Sequence, residues 1–244
     1  MSARAPQRSR RALAAVAACA CVVALAIGAW CYRGWRTYRP PVERYPLRGI
    51  DVSHHQRAID WSRVAADDVA FVYVKATEGG DYRDDAFARN WRDARAAGLA
   101  VGAYHFFTFC RSGAEQADNF LATVPVEADA LPPAVDVEFG GNCGRVPAPD
   151  ALRREIEAFL AKVEPAYGKR AVLYVTADAL DAYAAALPPR ALWRRSLLRE
   201  PDPLWQWRVW QYHNRGRVSG IDGPVDLNVF FAGPVAFARW RDGR

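Results

Sequence analysis

Two kinds of pattern alternate along most of the chain. Seven stretches rich in apolar, β-branched and aromatic residues predict buried β-strands, over 47–53, 69–77, 99–107, 133–139, 170–176, 207–213 and 224–230. Four stretches with apolar residues on one helical face predict α-helices, over 84–98, 112–124, 149–168 and 177–187. Repeated strand–helix units with strands of this kind predict a parallel sheet with helices around it.

The number of units favours one architecture. This many strand–helix units in about 200 residues favour a closed, TIM-like (β/α) barrel over an open sheet. Helical patterns are sparse after residue 187, so we expect an irregular α/β barrel that fills residues 47–244. The first strand lacks a following G-x-G-x-x-G motif, which removes the usual dinucleotide fingerprint.

The N-terminal segment has a different character. Residues 12–32 are 21 consecutive residues without a charge, and as a helix they would span about 31 Å, close to one hydrocarbon core. Residues 1–11 are basic, as expected of a cytoplasmic flank. We therefore predict a transmembrane signal anchor at 12–32 and a stiff linker at 33–46, with a cleaved signal peptide as the alternative. Both interpretations export the barrel, either as a periplasmic domain on the inner membrane or as a released protein.

The charge distribution excludes one class of partner. The formal net charge is +6, but residues 1–46 hold eight basic residues and one acid. The remaining 25 basic and 26 acidic residues leave the predicted barrel near −1. We therefore expect no nucleic-acid partner, contact with the membrane through the N-terminal helix, and a monomer.

The five cysteines are also divided between the N-terminal segment and the predicted barrel. Three lie in or at the end of the apolar run, where a cysteine behaves as a small hydrophobe. Cys110 and Cys143 remain in the exported domain, each a few residues after a predicted strand. We predict a disulfide between them, with two free thiols as the alternative.

Four acidic residues carry the candidate chemistry. The strand AVDVEF (134–139) holds Asp136 and Glu138, two positions apart and so on one face, with Cα atoms roughly 6.6 Å apart. Asp51 lies near the end of the first strand and Asp226 lies in the last, so all four acids are expected at one barrel mouth. Crowded carboxylates raise the pKa of one member, which can then protonate a glycosidic oxygen. Helix caps or salt bridges to arginine are the alternative roles for these acids.

Further candidate residues surround the acids. Those that suit contact with sugar rings are Tyr73, Tyr104, Phe106, Tyr174, Trp210 and Gln211. Ordinary core packing is the alternative for the aromatic ones. Lys75 and Glu78 are either substrate contacts or a salt-bridged pair. The four histidines are too scattered for a zinc site, so we expect neither a metal nor a cofactor.

Four blocks together carry a family resemblance. They are RGIDVSHHQRAIDW (48–61), FVYVKATEGGDYRDDAFARNWRDARAAGLAVGAYHFF (71–107), PAVDVEF (133–139) and WRVWQYHNRGRVSGIDGPVDLNVF (207–230). In order and spacing they resemble glycoside hydrolase family 25, the lysozymes also called N,O-diacetylmuramidases. The resemblance implies cleavage of the β-1,4 bond between N-acetylmuramic acid and N-acetylglucosamine in peptidoglycan.

The resemblance also implies roles for the four acids. Glu138 is similar to the general acid, Asp136 to the partner that orients or stabilises the substrate 2-acetamido group, and Asp51 and Asp226 to flanking acids. The Arg-rich stretch 191–205 departs from the family, which often has an aliphatic strand there. Two other functions remain open: a catalytically silent glycan-binding barrel, and a barrel glycosidase that acts on chitin-like chains.

Overall fold

The computed structural model describes residues 7–244, and side chains from Ala12 onward. The chain divides into two compact units, one ending at Tyr38 and the other spanning Arg39–Arg244. In the first unit, helix α1 (Gln7–Thr37) contains Ala12–Thr37, which is long and apolar enough to cross a membrane. Residues 1–6 and the side chains of 7–11 lie outside the described part, and the predicted cytoplasmic flank falls on them.

The second unit is built on nine strands. They are β1 (Arg48–Val52), β2 (Phe71–Glu78), β3 (Tyr82–Arg83), β4 (Ala100–Phe106), β5 (Ala134–Val137), β6 (Val172–Val175), β7 (Ala191–Arg195), β8 (Trp207–Gly216) and β9 (Val225–Phe230). Their order is β1-β9-β8-β7-β6-β5-β4-β2-β3, and a further pairing of β1 with β2 closes eight of them into a barrel. The short strand β3 pairs only with the end of β2.

The barrel is irregular at one strand, as the sequence predicts. From β1 through β2, β4, β5, β6 and β7 to β8 all neighbours are parallel, whereas β9 is antiparallel to both β8 and β1. The connection between β8 and β9 is too short for a crossover helix, so β9 must reverse direction. The beginning of β9 therefore lies at the same end of the barrel as the ends of the other strands.

Six α-helices accompany the strands in the unit that spans Arg39–Arg244. They are α2 (Trp61–Ala65), α3 (Phe87–Ala96), α4 (Gly113–Leu121), α5 (Pro149–Tyr167), α6 (Ala177–Tyr183) and α7 (Pro234–Arg241). Side chains of Asp60 and Ser112 cap the first turns of α2 and α4, and Gly168 ends α5 in a left-handed conformation with φ 63°. The four predicted helices are present, while α2 and α7 are short elements without a clear sequence pattern.

Two segments differ from the expectations. The Arg-rich stretch, in which an aliphatic strand was in doubt, forms β7 in parallel register between β6 and β8. The predicted linker 33–46 divides, because α1 continues to Thr37 and Tyr45 is buried against Trp207 and Trp210. The compact unit thus begins before the predicted boundary at residue 47.

Aromatic side chains fill the lower part of the barrel. Tyr73 and Trp193 contact each other in the interior at 4.9 Å between ring centroids, and Phe71 packs below them against Phe237 of α7. A Cβ at Gly49 would meet the Phe71 ring at 2.3 Å, so that position must remain glycine. The barrel interior is therefore filled with aromatic side chains at the end where the parallel strands begin. A site inside the barrel is left only at the other end.

Candidate active site

The structure brings the four predicted acids together at the end where the parallel strands finish. Asp51 lies near the end of β1, Asp136 lies in β5 and Glu138 follows β5 directly. Asp226 is the second residue of β9, which runs in the opposite direction, and it pairs directly with Asp51 across the ladder. The reversed strand is thus what delivers Asp226 to the mouth.

Asp51 is the centre of a hydrogen-bond network. Its Oδ2 accepts bonds from Gln211 Nε2 at 3.0 Å and Asn228 Nδ2 at 2.7 Å. Tyr174 Oη donates to Gln211 Oε1 at 3.1 Å, and Trp193 Nε1 donates to Asn228 Oδ1 at 2.8 Å. Each amide is thereby fixed with its N–H toward Asp51, so the network favours an ionised Asp51.

Asp51 and Asp226 share one proton. Burial raises the pKa of both, and the bonds from Asn228 and Gln211 oppose that shift for Asp51. Burial and then the neighbouring Asp51 carboxylate raise the pKa of Asp226 to about 9. At neutral pH Asp226 is therefore a neutral acid that donates a hydrogen bond to the Asp51 carboxylate.

The pair in AVDVEF is also protonated more readily than free carboxyl groups. Burial, then the charges of Glu138 and Asp51, raise the pKa of Asp136 well above its usual range. Burial raises the pKa of Glu138 to about 7, against the opposing effect of Arg195. Glu138 is the more exposed of the two, and near neutral pH its carboxyl group is present in both the protonated and the ionised form.

Arg195, Asn228 and Trp193 are site residues that the sequence analysis missed. Arg195 Nη1 lies 3.9 Å from Glu138 Oε2, at the end of the strand that was in doubt. Asn228 is two residues after Asp226 and therefore shares its inward face. That period of two was a usable signal for Asn228, whereas Trp193 and Arg195 required β7 to be recognised as a strand.

A covalent crosslink holds the loops beside Glu138. The predicted disulfide between Cys110 and Cys143 is confirmed, and it joins the loop after β4 to the loop after β5. Next to it, Asn142 Oδ1 accepts from the Phe109 amide, and its Nδ2 donates to the carbonyls of Phe107 and Glu138. The backbone at Glu138 is thus tied to the neighbouring loop by both kinds of bond.

Six of the predicted substrate-binding residues lie around the acids. Lys75 Nζ forms an ion pair with Glu78 Oε2 at 2.6 Å and sits over the Phe106 ring at 5.1 Å. Tyr104 is half-buried. Burial raises the pKa of its phenol, and the charges of Asp51 and Asp136 raise it further. Gln211 and Tyr174 belong to the hydrogen-bond network around Asp51 and orient that carboxylate.

The other two, Tyr73 and Trp210, do not reach the mouth. Tyr73 is fully buried one layer lower, where its hydroxyl donates to the Pro132 carbonyl at 3.0 Å. Trp210 points to the outside of the barrel, where it contacts Tyr45 and donates from Nε1 to the Ser196 carbonyl at 2.7 Å. Neighbouring residues of a strand face opposite sides, so Trp210 and Gln211 cannot both point inward.

One group of metal-type ligands comes together among the described residues. Ligand atoms of His54, Asp84 and Asp85 lie within 4.8 Å of one another. Asp84 already accepts bonds from the His54 amide, from His54 Nδ1 at 2.9 Å and from the Ala86 amide. These bonds account for both oxygens of the buried Asp84, so the group is a hydrogen-bonded link between the turn after β1, which holds His54, and the turn after β3.

A closed barrel with buried carboxyl groups at its mouth and a partly exposed glutamic acid beside them is the arrangement that glycoside hydrolases use. The sequence model of glycosyl hydrolases family 25 matches residues 50–221. The chain belongs to this family.

Individual relatives agree with this assignment. The chain is 39% identical over 194 residues to the uncharacterized protein YegX of Escherichia coli K12, covering 76% of this chain and 70% of that protein. It is 35% identical over 205 residues to lysozyme M1 of Streptomyces globisporus, covering 78% and 69%. A solved family 25 glycosyl hydrolase from Bacillus anthracis superposes with a TM-score of 0.78 at 36% identity, covering 85% of this chain and 98% of that one.

Proposed function

We propose that the chain is a peptidoglycan hydrolase that cleaves the β-1,4 bond between N-acetylmuramic acid and N-acetylglucosamine. The observation that carries the proposal is the Asp136–Glu138 pair, in which burial raises the pKa of Glu138 to about 7 beside a buried partner. The similarity to lysozyme M1 and to fungal N,O-diacetylmuramidases supports this substrate. The activity needs no cofactor in this scheme.

Each acid receives one role. Protonated Glu138 donates its proton to the glycosidic oxygen as the bond to the leaving sugar breaks. The Glu138 carboxylate then takes a proton from the water molecule whose oxygen forms the new bond to the anomeric carbon. Asp136 Oδ1 is buried and has no hydrogen-bond partner among the described residues, so it is suited to accept the N–H of a substrate 2-acetamido group. The Asp51 carboxylate, held by Asn228 and Gln211, stabilises positive charge that develops at the sugar ring.

The proposal includes a location. Helix α1 supports an uncleaved anchor in the inner membrane, with the catalytic barrel of residues 47–244 and its leading segment 39–46 in the periplasm. The disulfide supports an oxidising compartment.

The test uses purified residues 39–244 and isolated peptidoglycan. After digestion the products are reduced with borohydride, and new chain ends are identified by mass spectrometry. We expect new N-acetylmuramitol ends with the wild type and none with Glu138→Gln. Glu157→Gln, an exposed glutamate on α5, is the matched control and should cleave normally. Because Glu138 must be protonated to act, kcat/KM should fall as the pH rises through about 7.

Three results would contradict parts of the proposal. Cleavage by Glu138→Gln at the wild-type rate would remove the acid assignment. New N-acetylglucosaminitol ends would mean that the enzyme cleaves the other glycosidic bond, on the reducing side of N-acetylglucosamine. Binding to sacculi without any new ends would identify a silent glycan-binding barrel.

A further inference from the structure

A large groove lies at the end of the barrel opposite the four acids. It has a volume of about 1160 Å³ and is lined by residues that precede β5, β6 and β8, begin β7, or follow β9 into α7. Glycoside hydrolase chemistry at the mouth makes no use of this end, since it is separated from the acids by the aromatic core.

Exposed apolar side chains project along the groove. Leu204 is 85% exposed and Val235 is 70% exposed, and Trp205 and Phe231 of the same lining are each about 40% exposed. The Phe231 amide donates to the Arg208 carbonyl at 2.8 Å, which holds the β8 and β9 contributions side by side. Large apolar side chains grouped in this way mark a surface that meets an apolar phase or a partner.

The charges of the groove have one sign. Its lining includes five arginines and no acidic residue, the arginines being Arg170, Arg190, Arg208, Arg239 and Arg244. Arg170 donates to the Pro189 carbonyl, while Arg190 pairs with Glu164 and Arg244 with Asp242. Exposed Arg208 and Arg239 make no side-chain hydrogen bond or ion pair with any described residue.

We propose that this end of the barrel docks on the surface of an anionic lipid bilayer. The docking surface, here called the basal patch, consists of Leu204, Trp205, Phe231, Val235, Arg208 and Arg239. Exposed leucine, valine and aromatic side chains insert at the boundary of headgroups and acyl chains, and the two free guanidinium groups contact anionic headgroups. The patch carries both features that peripheral membrane binding requires.

The segment that leads into the barrel passes beside the basal patch. Tyr45 is buried against Trp207, and Trp207 contacts Phe231 of the basal patch at 4.8 Å between ring centroids. Residues 39–44, which precede Tyr45, belong to the same compact unit, since Pro40 is buried and Arg39 donates to the Arg217 carbonyl at 3.2 Å. The chain that leads from α1 therefore enters the core of the barrel next to the basal patch.

A second copy of the chain is a poorer occupant. Two-fold pairing through the same surface would bring two sets of five groove arginines into one interface without a groove carboxylate to neutralise them. An anionic bilayer supplies the missing negative charge.

The test uses residues 39–244, so that neither α1 nor hydrolysis contributes to the readout. This unit has its own core, and the Bacillus anthracis relative that it superposes on has little chain beyond it. Co-sedimentation is measured with vesicles of phosphatidylglycerol and phosphatidylethanolamine, and with phosphatidylcholine alone. We expect binding to the anionic vesicles only, weakened by salt.

Variants assign the binding to the patch. Arg208→Glu with Arg239→Glu should lower the partition coefficient by about thirtyfold or more, and Leu204→Ser with Val235→Ser should also lower it severalfold. Arg145→Glu with Arg154→Glu is the charge-matched control, and Val146→Ser with Leu197→Ser is the apolar control. Both controls should bind like the wild type, and all variants should retain wild-type melting temperatures.

Three outcomes would overturn the proposal. The first is no binding to anionic vesicles, and the second is binding that the control variants reduce as much as the patch variants do. The third is concentration-dependent dimerisation in light scattering that the patch variants abolish, which would assign the surface to contacts between copies.

Discussion

At the scale of single residues, Asp51 and Asp226 show how one buried site holds two acids. Two ionised carboxylates side by side would repel each other in a medium that screens them poorly. The site avoids this because Asp226 stays protonated, with a pKa raised to about 9, and donates to Asp51. The amides of Gln211 and Asn228 then complete the coordination of the single negative charge.

This arrangement predicts that Asp226→Asn is a mild substitution. An asparagine amide replaces the neutral acid as a donor to Asp51, so activity should stay within about tenfold of the wild type. Asp226→Ala leaves Asp51 without that donor and should lose about tenfold or more. Initial rates of peptidoglycan solubilisation measure both.

The same substitution has a pH signature in stability. The folded pKa of Asp226, about 9, exceeds its ordinary value of 3.8, so the folded state binds the proton more tightly. The contribution of Asp226 to the free energy of unfolding is therefore fully present below about pH 4 and is lost as the pH rises toward 9. Asp226→Asn cannot ionise and should therefore gain melting temperature over the wild type at pH 8 more than at pH 4. A pH-independent difference would mean that Asp226 is ionised at neutral pH.

The residue scale also separates what sequence predicts from what it does not. Asp136 and Glu138 were identifiable because strand alternation and the family blocks both point to them. Trp210 was misassigned to the mouth although it adjoins the inward-facing Gln211. Tyr73 faces inward but lies a layer too low, and no sequence pattern reports the depth of a residue within a barrel.

At the scale of elements, short strands were predicted wherever apolar residues ran together. Strand β7 was missed as an aliphatic strand because Arg194 and Arg195 end it, yet pairing on both sides supplies its hydrogen bonds. The reversed direction of β9 follows from a connection too short for a helix. Directions and partners of strands arise from tertiary pairing, which local propensity does not encode.

The crosslinked loops give a prediction at this scale. Cys110→Ser with Cys143→Ser removes a crosslink between residues 33 positions apart, so the unfolded chain gains conformational entropy. The unfolding free energy should fall by about 3–4 kcal/mol. Activity should fall as well, because the loop that holds the Glu138 carbonyl through Asn142 becomes looser. Denaturation curves and initial rates, each compared with wild type before and after reduction, measure the two effects.

A specific control keeps this test interpretable. Cys19→Ser with Cys21→Ser removes two cysteines outside the barrel and should change neither quantity. If the reduced wild type were as stable as the oxidised protein, the crosslink would have no role in stability.

At the scale of the whole molecule, the two ends of the barrel carry different chemistry. The acids and loops occupy one end, and the basal patch with α7 occupies the other. Docking through the patch would turn the mouth away from the bilayer and toward the glycan layer. The sequence predicted a membrane helix and a barrel, but the patch combines two separate segments, 204–208 and 231–239, and no local sequence pattern reports that they lie together.

The anchor itself is testable in cells. We expect the full chain, expressed in a Gram-negative host, to sediment with membranes, to resist carbonate extraction and to retain the mass of residues 12–32. Replacing Val22 and Leu25 with arginine should release the barrel from the membrane fraction or block export, since charges within the span are costly. A mature protein that lacks residues 1–26 and is soluble would indicate a cleaved signal peptide.

The reversed strand β9 has a further consequence for the order in which the site comes into being. Asp51 enters near the start of the barrel, but the groups that hold it, Gln211, Asp226 and Asn228, are synthesised last. A chain still emerging from the ribosome or crossing a membrane already carries Asp136 and Glu138, yet its mouth stays unfinished until β9 docks between β8 and β1. Docking of β9 thus completes the active site. We expect a chain truncated before β9 to leave the cell wall of the cell that makes it intact.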